Sequence, residues 1–197
     1  MASKPGERRL QILQTLAEML ETPKGEKITT AALAAKLDCS EAALYRHFAS
    51  KAQMFEGLIE FIEQSLFGVI NQITSEEQNG LKQTELILSM LLRFAQKNRG
   101  MTRVLIGDAL VNENERLQTR INALLDKVEA ALKQSLRVAA TQATVESTAD
   151  FSALANLLRC YVVGRWEQYA RSGFSREPLA QWQQQWPLLA TCIVAMH

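Results

Sequence analysis

Cysteine, proline and glycine are scarce in this sequence of 197 residues, which contains 3, 4 and 9 of them. The cysteines are Cys39, Cys160 and Cys192, an odd number without the spacing of a metal site, which argues against a disulfide framework. We expect reduced thiols in small apolar niches. Because Ala, Leu, Gln and Glu are abundant while helix breakers are few, the composition favours helix over nearly the whole chain.

Long apolar runs and catalytic signatures are also absent. No stretch approaches the ~20 apolar residues that span a bilayer, and the first residues lack the apolar centre of a signal peptide. We therefore expect a cytoplasmic protein without a membrane partner. The only histidines are His47 and His197, and no Ser-His-Asp set, metal-ligand spacing or glycine-rich phosphate loop occurs. We predict no enzyme activity, no metal and no cofactor.

The sequence also lacks a large excess of either charge, since it has 22 basic and 21 acidic residues and a net charge of +1. From Met1 to Lys51 there are eight Lys or Arg residues and six Asp or Glu residues. An excess this slight does not by itself point to nucleic acid. A DNA-binding function would have to depend on a specific surface.

Such a surface is predicted between Ile28 and Lys51, in the stretch ITTAALAAKLDCSEAALYRHFASK. Two helical patterns of about eight residues are joined here by a three-residue turn, the layout of a helix-turn-helix. Thr29 can cap the first helix and Ser40 the second, because each offers a side-chain oxygen before a helix-forming run. Asp38 can adopt the left-handed conformation that the turn requires.

The apolar positions of this stretch, Leu33, Leu37, Leu44 and Phe48, recur at i, i+4 spacing and should be buried. Small and hydrogen-bonding side chains remain exposed, which suits a DNA groove. Thr29 or Thr30 would bring a hydroxyl and a backbone N–H to a phosphate. Ala42 and Ala43 would allow close approach and touch thymine methyl groups, and Arg46 would read a base or clamp a phosphate.

The remainder of the chain reads as helices. We predict a first helix over 7–21, ended by Pro23 and Gly25, and later helices over about 50–74, 81–98, 102–110, 112–138, 150–172 and 178–196. Arg99-Gly100 reads as a C-cap signal, 139–149 as a loop, and Pro187 as a kink or break in the last helix. The predicted fold is all-α with about nine helices, divided into a DNA-binding domain over 1–50 and a helical body over 51–197.

The last two helices are apolar over wide arcs, which suggests that a helix pair from each of two chains forms a four-helix dimer interface. The predicted interface residues are Leu158, Val162, Trp166, Trp182, Trp186 and Leu189. A homodimer would place two reading helices in successive major grooves of palindromic double-stranded DNA.

The motifs TTAALAAKL, the following Ser40 and ALYRHF-A-SK resemble the reading unit of the TetR family. Ala49 stands where that family commonly has proline. The runs MFEGLIEFIEQSL, GMTRVLIGDAL and RLQTRIN extend the resemblance into the body. There the chain is similar to TetR-type proteins that act in nucleoid occlusion, inhibiting division-ring assembly while bound to DNA.

This resemblance implies a TetR-like fold, a nucleoid-associated location and further site residues. Tyr45, His47 and Lys51 occupy positions that hold phosphates in the family. The alternative is that Tyr45 and His47 only pack and that Lys51 is solvated.

The resemblance also implies a protein partner, the tubulin-like division protein FtsZ. Phe61, Lys97 and Asn98 match or conservatively replace residues that receive the FtsZ tail, whereas Val69 stands where an arginine is expected. From the residues alone, Phe61 is either an anchor for a partner or an ordinary packing residue.

Two functions therefore remain open: a nucleoid occlusion factor, or a TetR-type transcriptional repressor that responds to a small-molecule ligand. Met90, Phe94, Met101 and Trp166 could line a ligand pocket in the second case, although such residues on packed helices more often belong to the core.

Overall fold

A computed structural model describes residues 5–22, 28–145 and 148–194 of the chain. All regular secondary structure in these ranges is helical, as the composition predicted. The α-helices are α1 Pro5–Met19, α2 Thr30–Lys36, α3 Glu41–Tyr45, α4 Lys51–Glu76, α5 Gly80–Lys97, α6 Arg99–Leu105, α7 Glu115–Thr141, α8 Phe151–Arg171 and α9 Trp182–Val194, and a 3-10 helix spans Asp108–Leu110. The predicted breakers Pro23 and Gly25 lie outside the described residues.

The chain folds into two compact units. The first comprises Met1–Glu63 with Asn98–Ile121, and the second comprises Gln64–Lys97 with Asn122–His197. This division differs from the single boundary predicted between residues 50 and 51, because α4 and α7 each contribute residues to both units.

In the first unit, α1 packs on α2 and α6. Gly100 lies where α1 and α6 approach most closely, since a Cβ added to it would lie 1.9 Å from the carbonyl oxygen of Ala17. The predicted C-cap at Arg99-Gly100 is therefore wrong: these residues begin α6, and the glycine is needed for helix packing. The buried apolar residues of this unit include Ile12, Leu16, Leu33, Leu44, Phe48, Phe55, Leu58, Ile59, Ile62, Val104 and Leu117.

In the second unit, α5 packs on α8 and α9. Two aromatic side chains of α8 donate hydrogen bonds to the backbone of α5: Trp166 Nε1 to the Leu91 oxygen at 3.2 Å and Tyr169 Oη to the Gln96 oxygen at 3.1 Å. The buried apolar residues of this unit include Leu66, Ile70, Leu88, Leu92, Leu124, Val128, Leu132, Leu136, Leu154, Leu158, Val162 and Trp182.

Several predicted helix limits are corrected. The helix expected over 102–110 ends at Leu105, because Gly107 takes a positive φ of 80° and starts the separate 3-10 turn. Helix α7 extends to Thr141, into the predicted loop. Helix α9 begins at Trp182 and includes Pro187 without a break.

The three cysteines are free thiols, as expected, but Cys160 and Cys192 are exposed, so the prediction of apolar niches is wrong for both. Among the described residues, no helix is long and apolar enough to cross a membrane.

Candidate nucleic-acid interface

The first helix of the predicted helix-turn-helix, α2, begins with the cap that the sequence indicated. Thr29 has an extended backbone (φ −101°, ψ 154°), and its Oγ1 accepts a hydrogen bond from the Ala32 N–H at 3.1 Å. Leu33 and Ala34 are buried beneath the helix. The Thr29 hydroxyl therefore stabilises the start of α2.

The turn after α2 adopts the expected left-handed backbone at Asp38, with φ of 49°. The Cys39 N–H donates to the Ala34 oxygen at 3.0 Å, which satisfies a carbonyl at the end of α2. Arg8 of α1 also donates from Nη2 to the Leu37 oxygen at 3.3 Å. These contacts hold the turn that leads into the second helix.

The second helix, α3, is capped by Ser40, whose Oγ accepts from the Ala43 N–H at 3.2 Å. Leu44 is completely buried, while Ala42 is exposed and Ala43 is half-buried. After the exposed Glu41, the outer side of α3 therefore presents the small side chains of Ala42 and Ala43, which leave room for a close approach.

A cluster of three polar side chains joins α2 to α3 across this surface. The Thr30 hydroxyl donates to Oε2 of Glu41 at 2.5 Å, and the Tyr45 hydroxyl donates to Oγ1 of Thr30 at 3.5 Å. Tyr45 remains 45% exposed. Thr30 and Tyr45 are thus brought together, and Glu41, which was not predicted as a site residue, holds the hydroxyl of Thr30.

The end of α3 differs from the prediction because the helix stops at Tyr45 after five residues. Arg46 and His47 therefore lie in the following turn. Arg9 of α1 holds this turn: its Nη1 donates to the His47 oxygen at 3.2 Å, and its guanidinium lies 4.2 Å from the centre of the Phe48 ring. This hydrogen bond ties the turn after α3 to α1.

Lys51, the first residue of α4, forms an ion pair with Glu113, and its ammonium lies 5.7 Å from the centre of the Phe55 ring. The side chains of Lys51 and Glu113 are 21% and 12% exposed. The alternative that Lys51 is merely solvated is therefore wrong. In the DNA-free chain this predicted phosphate ligand already has an anionic partner.

Sequence reasoning did not identify Glu41 or Glu113, and it did not foresee the contacts of Arg9. Glu41 had a local signal, since it lies in the first turn of α3. Glu113 had none, because it lies 62 residues from Lys51.

The residues matched to FtsZ recognition are Phe61 on α4, which is half-buried, Lys97 at the end of α5, which is exposed, and Asn98, the N-cap residue of α6, which is half-buried. Val69, where an arginine was expected, is exposed.

Four of the six predicted dimer-interface residues lie in the core of the second unit: Leu158, Val162, Trp166 and Trp182. This part of the prediction is corrected, because side chains packed within their own chain offer almost no surface to a partner. Trp186 and Leu189 are half-buried. The exposed apolar side chains of α8 and α9 are instead Leu157, Leu188 and Val194.

Among the described residues, no group of three or more His, Cys, Asp or Glu side chains is arranged to hold a metal ion. Two N-capped helices, joined by a left-handed turn and followed by a helical body, define a helix-turn-helix protein.

Comparisons with known proteins agree with this class. A family model described as "Bacterial regulatory proteins, tetR family" matches residues 24–58, and the SlmA-like model "Tetracyclin repressor-like, C-terminal domain" matches residues 78–193. A TetR transcription regulator from Haloarcula marismortui shares the fold, with a TM-score of 0.81 at 16% identity over 96% of this chain and 99% of its own.

Relatives of nearly equal length identify a narrower group within this family. The "Nucleoid occlusion factor SlmA" of Alteromonas mediterranea is 52% identical over 185 residues, which cover 94% of this chain and 95% of the relative. That of Idiomarina loihiensis is 48% identical over 99% of this chain and 100% of its own. The chain belongs to the SlmA nucleoid occlusion factors of the TetR family.

Proposed function

We propose that this chain is a dimeric, sequence-specific DNA-binding nucleoid occlusion factor that antagonises assembly of FtsZ over the nucleoid when it is bound to DNA. The observation that carries the proposal is a complete, doubly capped helix-turn-helix in a chain about half identical, over nearly its full length, to nucleoid occlusion factors. DNA binding is expected to use Thr29, Thr30, Ser40, Ala42, Ala43, Tyr45, Arg46, His47 and Lys51.

The mechanism of DNA recognition follows from the surface. The methyl groups of Ala42 and Ala43 permit close approach to the major groove, where they can contact thymine methyl groups. Tyr45 and Arg46 are exposed beside them and can donate hydrogen bonds. Because the net charge is only +1, we expect groove fit and dimer spacing to contribute more to specificity than general attraction to phosphates.

Selection of duplexes from a randomised pool by the purified chain tests DNA binding. We expect a palindrome with half-sites about one helical turn apart, since two reading helices of a dimer enter successive major grooves. Selection of no preferred sequence would contradict the DNA-binding part of the proposal.

Sedimentation of FtsZ polymers tests the division function. We expect this chain to reduce pelleted polymer, and to do so more strongly when the selected duplex is present. The same duplex with a scrambled sequence is the control. If polymer is unaffected and a small molecule releases the chain from its duplex, the protein is instead a ligand-responsive repressor.

Phe61, Lys97 and Asn98 are proposed as contacts for FtsZ, on the strength of the family match. A cation at Lys97 suits an acidic peptide tail, and Phe61 supplies an apolar anchor. Phe61→Ala should retain DNA affinity and lose polymer antagonism. Asn71→Ala, at an exposed position of the same helix, is the control and should keep both activities.

The repressor alternative receives little support from the residues suggested for its pocket. Trp166 is fully buried and its indole N–H donates to the Leu91 oxygen, which is how a core tryptophan is satisfied.

A further inference from the structure

Lys51 is a candidate DNA contact whose side chain already forms an ion pair, with Glu113. It directly follows the helix-turn-helix, three residues after the buried Phe48. Its backbone is fixed by reciprocal capping: the Ser50 Oγ accepts from the Gln53 N–H at 3.2 Å, and the Gln53 Oε1 accepts from the Ala49 N–H at 2.8 Å. The lysine therefore starts from a rigid position at the edge of the reading unit.

Its partner, Glu113, is presented by an equally ordered turn. The Glu113 N–H donates to the Leu110 oxygen at 2.9 Å, and Asn112 before it has a left-handed backbone, with φ of 64°. Asn114 then accepts through Oδ1 from the Arg116 N–H at 3.1 Å, at the start of α7. The backbone of Glu113 is thus held in place by its own segment, and its side chain extends from there to Lys51.

Two more ion pairs connect the same segments in the first unit. Arg116 Nε lies 2.8 Å from Oε1 of Glu56, and Arg120 Nη2 lies 3.9 Å from Oε2 of Glu63. Lys51 can leave Glu113 by rotation of its side chain alone, while these two pairs still connect α7 to the first half of α4. An exchange of partners needs no helix movement.

We propose that Glu113 sets the DNA affinity of this chain by holding Lys51 in the DNA-free state, so that a backbone phosphate must displace the Glu113 carboxylate to bind the Lys51 ammonium. A phosphate and a carboxylate compete here because both are anions and the side chain of Lys51 carries one positive charge. Glu113 is thus a positioning residue for DNA binding. The inference rests on the DNA-binding function proposed above.

The test compares variants of Lys51, Glu113 and Glu115 on the duplex selected by the unmodified chain, over a series of salt concentrations. Glu113→Gln removes the competing charge and keeps the size of the side chain, so we expect about two- to tenfold tighter binding. Lys51→Gln should weaken binding and reduce the slope of log affinity against log salt by about 0.9 per lysine removed.

The matched control is Glu115→Gln, which changes the same charge two residues further along, at an exposed position in the first turn of α7. It should have a smaller effect than Glu113→Gln, because only general repulsion of phosphates is reduced. In the double variant carrying Lys51→Gln, the gain from Glu113→Gln should vanish.

Glu113→Asp provides a second test of the proposal if Glu113→Gln unfolds, since it keeps the negative charge and shortens the side chain by one methylene. It should raise affinity by less than Glu113→Gln. If both Glu113 variants bind DNA with unchanged or lower affinity, the proposed competition between the Glu113 carboxylate and a DNA phosphate is overturned. Lower affinity would mean that Glu113 assists Lys51 in binding DNA. An unchanged salt slope in Lys51→Gln would also overturn the proposed competition, while binding of the selected duplex by the unmodified chain would leave the proposed function intact.

Discussion

At the scale of single residues, the reading surface is built largely from side chains that satisfy the ends of short helices. Thr29 and Ser40 cap α2 and α3, while Arg8 and Arg9 of α1 donate to carbonyls in the turns that follow those helices. Helices of seven and five residues are too short to be stable alone. Their positions therefore depend on these caps and on the buried Leu33 and Leu44.

Replacement of Arg9 tests this dependence. Arg9→Met removes the hydrogen bond to the His47 oxygen and the contact with the Phe48 ring, so we expect the free energy of unfolding to fall by about 1 kcal/mol. Denaturant titration measures the change. Arg46→Met, at an exposed position in the turn that Arg9 holds, should leave stability nearly unchanged and weaken DNA binding. Equal stability of the Arg9 variant and the unmodified chain would contradict the role given to Arg9.

At the scale of helices, close contacts decide which residues are replaceable. Gly100→Ala would place a methyl group against the Ala17 carbonyl of α1, and backbone cannot yield as a side chain can. We expect a loss of about 1–3 kcal/mol or more. Gly68→Ala is the control, because nothing lies within 4 Å of its added Cβ, and it should stabilise α4 by up to about 1 kcal/mol. Thermal unfolding distinguishes the two variants. Equal effects on stability would contradict the role in close helix packing given to Gly100.

Helices α8 and α9 are joined by a hydrogen bond from the Tyr161 hydroxyl to Oε1 of Gln185 at 2.6 Å. Burial raises the pKa of Tyr161 above its ordinary value of 10, and the charge of Arg165 partly opposes that shift. The folded state therefore holds the phenolic proton more tightly than the unfolded state. This contribution to stability is complete below pH 10 and is lost as the pH rises through the folded pKa.

Tyr161→Phe should accordingly lower the free energy of unfolding by about 1 kcal/mol near neutral pH. It should also make the decline of stability above pH 10 less steep. Denaturant titrations across neutral and alkaline pH measure both effects. An identical alkaline decline in the two proteins would show that Tyr161 does not contribute to it.

At the scale of the whole molecule, the proposed dimer should form through the exposed apolar residues of the last two helices. The double variant Leu157→Glu with Leu188→Glu places charges at side chains that are 53% and 67% exposed. We expect a monomer with weak affinity for the palindromic duplex, because each chain then binds one half-site. Sedimentation velocity measures the mass.

Val111→Glu is the control for oligomeric state. Val111 is as exposed as Leu188, at 66%, but belongs to the first unit. It should leave the mass of a dimer unchanged. A double variant that remains dimeric would place the interface elsewhere.

The helical content, the two caps, the left-handed Asp38 and the buried Leu33, Leu44 and Phe48 were all predictable from the sequence. Each depends on residues only a few positions apart, so local spacing carries the information. The limits of α6, α7 and α9 were less predictable. The turn at Gly107 ended α6 early, α7 continued into the predicted loop, and α9 accommodated Pro187 within the helix.

By itself, the sequence determined that the chain is helical, that Ile28 to Lys51 includes a helix-turn-helix, and that the family is TetR. Only the tertiary structure decided that Gly100 serves close packing, that Trp166 and Trp182 are core residues, and that Lys51 is paired with Glu113. These depend on residues brought together across long separations in the chain. The spacing of hydrophobic residues predicts that a side chain is buried, but it does not predict which residues that side chain packs against.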